Sequence, residues 1–139
     1  MPSDSVRGSC LCGSVRFMVE LPFRTFRYCH CSRCRKATGS AFAANLFVEP
    51  AQFRWISGED SLTRFDLPEA RHFASCFCNR CGSPLPRLTR GGTVVVVPAG
   101  SLEDDPAIRP EHHIFWDSRA PWFSGEDELP RFGEYPPSA

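Results

Sequence analysis

Alternation of apolar and polar side chains at every second position runs through much of the chain. Residues 15–21 (VRFMVEL), 41–48 (AFAANLFV) and 53–57 (FRWIS) follow it closely, which is the period of a strand with one buried face. Residues 61–67 (SLTRFDL) and 71–77 (RHFASCF) add two more short strands. In LPRLTRGGTVVVVPAG, Gly91 and Gly92 offer the positive φ of a tight turn. The four valines Val94 to Val97 then read as a strand buried on both faces.

Helical periodicity is scarce. One short turn begins near Ser32, where SRCRKAT carries helix formers until Gly39 stops it. Thirteen prolines argue against long helices. Residues 117–139 are irregular and rich in proline and aromatics, and are expected to wrap the surface. No internal repeat is visible. The pattern predicts a mainly β chain of short antiparallel strands, forming a single domain over residues 1–139.

Composition narrows the function. At 139 residues with 42% hydrophobic content, the chain is long enough for one core. Sixteen basic and sixteen acidic residues cancel, so there is no electrostatic footprint for nucleic acid. The start MPSDSVRGSC has no signal-peptide core, and no apolar run is long enough for a membrane helix. A cytoplasmic location without membrane contact is expected. In a reducing compartment eight cysteines point to metal or chemistry, with a secreted disulfide framework as the alternative.

The thiols fall into three groups: Cys10 and Cys12; Cys29, Cys31 and Cys34; Cys76, Cys78 and Cys81. CLCG and CNRCG both close with Cys-Gly. In a metal knuckle the residue after the second cysteine often needs positive φ, which glycine adopts without steric cost. Cys10, Cys12, Cys78 and Cys81 therefore read as two halves of one closed, structural zinc site of four thiolates.

CHCSRC differs, since Arg35 and not glycine follows its last cysteine. Cys29 and Cys31 share one side of an extended segment, and Cys34 returns on the first helical turn. Three protein ligands with an open fourth position is the arrangement of a catalytic zinc. Cys76 could instead close this site, giving a two-zinc structural module for protein or ligand binding. Cys76 could also be a plain buried strand thiol. An iron–sulfur cluster is a minor further choice.

With those residues in hand, the chain resembles the glutathione-dependent formaldehyde-activating enzyme family, whose domain also occurs in centromere protein V. The likeness spans about residues 8–136 and rests on GSCLCGSVRF, CHCSRCRKATGSAF, FCNRCGSPL and HIFWDSRAPW. It implies a tent-like antiparallel β fold organised around zinc. It implies two zinc ions per chain, structural on Cys10, Cys12, Cys78 and Cys81 and catalytic on Cys29, Cys31 and Cys34. The implied activity is that of a carbon–sulfur lyase acting on thiol–aldehyde adducts. Glutathione plus formaldehyde, giving S-(hydroxymethyl)glutathione, is the founding case.

A substrate thiol at the open position would lose its proton on coordination and attack an aldehyde carbon. Arg33, Arg35 and Lys36 beside the triad could hold carboxylates of a glutathione-like substrate, or could be a solvated turn. His30 alternates with Cys29 and Cys31 and so points away from the metal; His72 carries no motif. His113 matches a recurrent family position, as a pocket acid or base or as a satisfied strand histidine. Trp116, Trp122 and Phe123 could wall an apolar pocket or belong to the core. Thr38 and Ser40 could orient a polar substrate. The thiol, the aldehyde, the direction and the oligomeric state are not readable from the sequence.

Overall fold

The computed structural model describes residues 4–137. Its first strands are β1 (Ser5–Ser9), β2 (Arg16–Glu20) and β3 (Thr25–Cys29), followed by the helix α1 (Ser32–Thr38). Then come β4 (Ala43–Val48), β5 (Phe53–Ser57), β6 (Leu62–Asp66) and β7 (Ala74–Cys78). The last strands are β8 (Arg87–Leu88), β9 (Val95–Pro98) and β10 (His112–Ile114). The protein is mainly β, as the two-residue alternation predicts.

Three sheets form among the described residues, in the orders β1-β2-β5, β10-β3-β4-β9-β8 and β6-β7. Every pairing is antiparallel except one. β10 runs parallel to β3, with Ile114 beside Cys29, a long-range contact that no local pattern announces. Alternate residues of β2 and β4 face one core: Phe17, Val19, Leu46 and Val48 are buried there with Val95 and Val97. Burying such side chains contributes roughly 1.5–3 kcal/mol each. The valine strand is buried on both faces at Val95, Val96 and Val97, as expected.

β1 escapes the alternation rule because Gly8 occupies one of its buried positions. The Phe17 ring of β2 lies directly against Gly8, where a Cβ would overlap it. The helix ends as its sequence dictates. Gly39 adopts φ 69°, and its N–H closes the last turn on the Arg35 carbonyl.

The irregular C-terminal segment expected over residues 117–139 carries no strand among its described residues. Residues 138 and 139 of that segment, and 1–3 of the N-terminal reading, lie outside the described residues. No helix among the described residues is long and apolar enough to cross a membrane.

Candidate metal centres

The first centre joins two knuckles that are far apart in sequence and alike in construction. Gly13 and Gly82 both take positive φ, at 79° and 77°. Their N–H groups donate to the Cys10 and Cys78 carbonyls at 3.1 and 2.7 Å. The likeness extends one residue further than the Cys-Gly pairs suggested. Both knuckles read Cys-Gly-Ser, and each serine hydroxyl meets the preceding sulfur: Ser14 Oγ lies 3.1 Å from Cys12 Sγ, and Ser83 Oγ 3.2 Å from Cys81 Sγ. Backbone N–H groups of Val15 and Arg80 donate to Cys10 Sγ and Cys78 Sγ at 3.3 and 3.4 Å.

The four sulfurs lie within 4.8 Å of one another, with Cys10–Cys12 at 3.6 Å and Cys12–Cys78 at 3.9 Å. A zinc–thiolate bond of about 2.3 Å puts the edge of a tetrahedral four-thiolate centre at about 3.8 Å. The donor set and its spacing therefore fit a closed metal centre. Hydrogen bonds favour the thiolate at two of the four sulfurs, whereas burial raises the Cys78 thiol. The Ser14 hydroxyl lowers the Cys12 thiol, and the Ser83 hydroxyl brings Cys81 down to about 5.

The second centre sits where β3 runs into α1. Cys29 is the last residue of β3, Cys31 caps the helix through its sulfur, which accepts the Cys34 N–H at 3.3 Å, and Cys34 is the buried residue of the helix. The three sulfurs lie within 4.8 Å of one another. Their mutual hydrogen bonding splits the thiols: the Cys34 side chain brings Cys29 down to about 6, while the same contact and burial push Cys34 up. That is the signature of a cluster ready to give up a proton. These three residues can hold a metal ion from one face. Cys76 Sγ falls outside this 4.8 Å group; it is buried on β7, and burial raises its thiol.

Two cavities lie along α1, and the inner of the two reaches the triad at Cys34. The inner one, about 200 Å³, is lined by Cys34, Ala43, Asn45, Phe73, Cys76 and Arg87 among others. The outer one, about 430 Å³, runs along α1 past Arg33 and Lys36 to Phe65, Glu69 and Phe73. Arg33 and Lys36 thus line the outer cavity, whose wall includes none of the three cysteines. Arg35 lines neither, and its buried Nε has no hydrogen-bond partner among the described residues. Arg87 did not stand out in the sequence, because it lies more than fifty residues from the triad in a proline-rich segment.

The histidines build a separate structure. His30 is fully buried, and its Nε2 lies 2.8 Å from Nδ1 of His113. Phe42, Trp116 and Phe123 surround the His30 ring, while Cys29 packs with Cys34, Ala43 and Phe73. His30 therefore does turn away from the triad. Its burial, with His113 and Arg119 adding, lowers its basicity. His113 lines neither cavity. Trp122 is 72% exposed and walls neither of them. Thr38 lines the inner cavity and donates from Oγ1 to the Cys34 carbonyl at 2.8 Å. The Ser40 N–H donates to the Thr38 hydroxyl at 3.2 Å.

Comparison with known proteins finds relatives of this chain. The model of the family described as glutathione-dependent formaldehyde-activating enzyme matches residues 5–118. A curated protein of Halomonas elongata named "Putative glutathione-dependent formaldehyde-activating enzyme" is 35% identical over 128 residues, covering 84% of this chain and 78% of its own. A crystal structure of a Rhodobacter sphaeroides protein superposes with a TM-score of 0.58 at 29% identity. It covers 77% of this chain and 97% of its own.

Proposed function

The chain belongs to the glutathione-dependent formaldehyde-activating enzyme family, and on that premise we propose that it is a zinc-dependent carbon–sulfur lyase of thiol–aldehyde adducts. Glutathione and formaldehyde are the substrates the family description names. The observation that carries the reading is the contrast between the two cysteine groups, four sulfurs in one and three in the other. Four thiolates complete a tetrahedral zinc; three leave a corner for a ligand.

In this reading Cys10, Cys12, Cys78 and Cys81 hold a structural ion that clips the β1–β2 turn to the end of β7. Such a clip contributes folding free energy directly. Cys29, Cys31 and Cys34 hold the second zinc, which when bound supplies a site where a substrate thiol is acidified. The chain's own groups do the rest. The helix cap at Cys31 fixes the triad, and Arg33 and Lys36 present cations along the outer groove to an anionic thiol. Phe73 and the buried wall of the inner cavity keep water from the reacting sulfur. In the reaction the thiol adds across the aldehyde carbonyl, a carbon–sulfur bond forms, and the thiol proton ends on the oxygen. The reverse cleaves that bond and releases the aldehyde. The residues assigned these roles form one zinc-binding domain, located in the cytoplasm.

The test is exchange of formaldehyde with glutathione, followed by NMR line broadening, for the zinc-loaded protein and for Cys29→Ser. The wild-type protein is expected to accelerate exchange. Cys29→Ser, still holding the zinc of Cys10, Cys12, Cys78 and Cys81, should return to the uncatalysed rate. Equal rates for the two proteins would refute the catalytic role of the triad.

A further inference from the structure

Arg87 stands apart from the other arginines near the triad. It is partly buried, lines the inner cavity with Cys34 and Cys76, and its guanidinium lies over the Phe73 ring, 5.4 Å from the centroid. Arg64, the nearest other cation by its influence on Arg87, is already paired with Asp66 at 2.9 Å. Arg87 has no ion pair and no hydrogen bond from its side chain among the described residues. Burial opposes its charge, while the thiolates of Cys34, Cys29 and Cys31 favour it. An arginine brings five N–H donors in a planar fork, and those of Arg87 are not among the buried atoms sealed off without a partner, so they stay open to what enters the cavity.

A second polar group faces the same space. Asn45 follows Ala43 by two on β4, so both point to the triad side of the sheet. Asn45 is only 5% exposed, yet its amide makes no hydrogen bond among the described residues and lines the same cavity. A guanidinium and a carboxamide, both without side-chain partners among the described residues, thus line a small chamber that reaches the triad at Cys34. The rest of the wall sets apolar Ala37, Ala43 and Phe73 beside the Thr38 and Ser75 hydroxyls, neither of which bonds to the Arg87 or Asn45 side chain among the described residues.

Resting on the thiol–aldehyde reading, we propose that this chamber is a carboxylate subsite. Arg87 pairs with a carboxylate of the substrate thiol, and Asn45 donates to it. The guanidinium fork matches a carboxylate in two parallel bonds. The volume sets the size of what enters. At about 30 Å³ per water, 200 Å³ takes the acid end of a peptide thiol or a small mercapto acid, not a whole tripeptide. The outer groove shares Ala37, Phe73 and Ser75 with the chamber and can hold the remainder. Selectivity for acidic thiols would then come from Arg87, and not solely from the cations of α1.

The test uses two matched ligand pairs on the zinc-loaded protein, followed by protein NMR shift titration. The pairs are 3-mercaptopropionate against 3-mercaptopropionamide, and propionate against propionamide, which lack the thiol. The wild-type protein should bind each acid about tenfold or more tightly than its amide, the range of a charge-assisted bond. Arg87→Gln should bring acid and amide together, and Arg87→Lys should keep part of the preference, with both zinc equivalents retained. A wild-type protein that treats acid and amide alike would overturn the subsite and leave Arg87 as a counter-charge to the thiolates. A preference that survives in Arg87→Gln would overturn it too. Propionate binding that depends on Arg87, in a protein that accelerates no thiol–aldehyde exchange, would uphold the subsite and remove the thiol–aldehyde reading instead.

Discussion

The Leu11 N–H donates to the Ser83 hydroxyl across 2.9 Å, joining the tip of the first knuckle to the second, 72 residues on. The same hydroxyl meets Cys81 Sγ, so one serine both orients a metal-binding sulfur and locks the two halves together. Groups that support metal ligands in this way typically carry about 10–100-fold in metal affinity. Ser83→Ala should therefore weaken zinc held by Cys10, Cys12, Cys78 and Cys81 by about that factor in a chelator competition. An affinity within twofold of wild type would show that the serine is incidental.

Cys76 gives a sharper test of the second centre. Its sulfur lies outside the three-sulfur group, so Cys76→Ser should retain both zinc equivalents by elemental analysis. Loss of one equivalent would make Cys76 the fourth ligand and close the site.

Titration of the metal-stripped protein should report the two clusters separately. Cys81 stands at about 5 and Cys29 at about 6, against 9.0 for an ordinary thiol. Both values are depressed in the folded chain. Their thiolates therefore stabilise it fully above the ordinary value, and that contribution is lost as the pH falls through about 6 and then about 5. Ultraviolet thiolate absorbance should accordingly begin to rise in that acidic window. A single rise centred near the ordinary thiol value would contradict the hydrogen bonding described for both clusters.

His113 is expected to matter for stability and not for chemistry. Removing it in His113→Ala leaves the buried Nε2 of His30 unpaired, a loss of about 1–3 kcal/mol. Denaturant unfolding should show that loss while formaldehyde exchange stays at the wild-type rate. A stable variant with slowed exchange would place His113 in the reaction after all.

Much of this was legible in the chain itself, for physical reasons that can be named. β4 and β9 carry alternating or continuous apolar runs whose periods survive into the fold because one face or both are buried, and β5 keeps its alternation with Phe53 and Trp55 half-buried. β1 was hidden because Gly8 yields its place to the Phe17 ring. β10 was hidden because three residues, HHI, gain strand geometry only by pairing with β3. Among the cysteines the glycine-closed knuckles were readable, since positive φ has a sequence signature; the serine after each glycine carried the same signal and went unread. Arg87 and Asn45 had no such signature. What marks them is the lack of a partner, and partners are a property of the fold.

The central claim is that the three-cysteine centre keeps a corner for a substrate sulfur. Cobalt(II) substitution tests it most directly, because sulfur-to-cobalt charge-transfer intensity counts bound thiolates. Titrating glutathione into the cobalt protein should raise that intensity by the step expected for one added thiolate, from seven to eight per chain, and Cys29→Ser should abolish the step. A spectrum that already shows eight thiolates before glutathione, and does not change on its addition, would contradict the account.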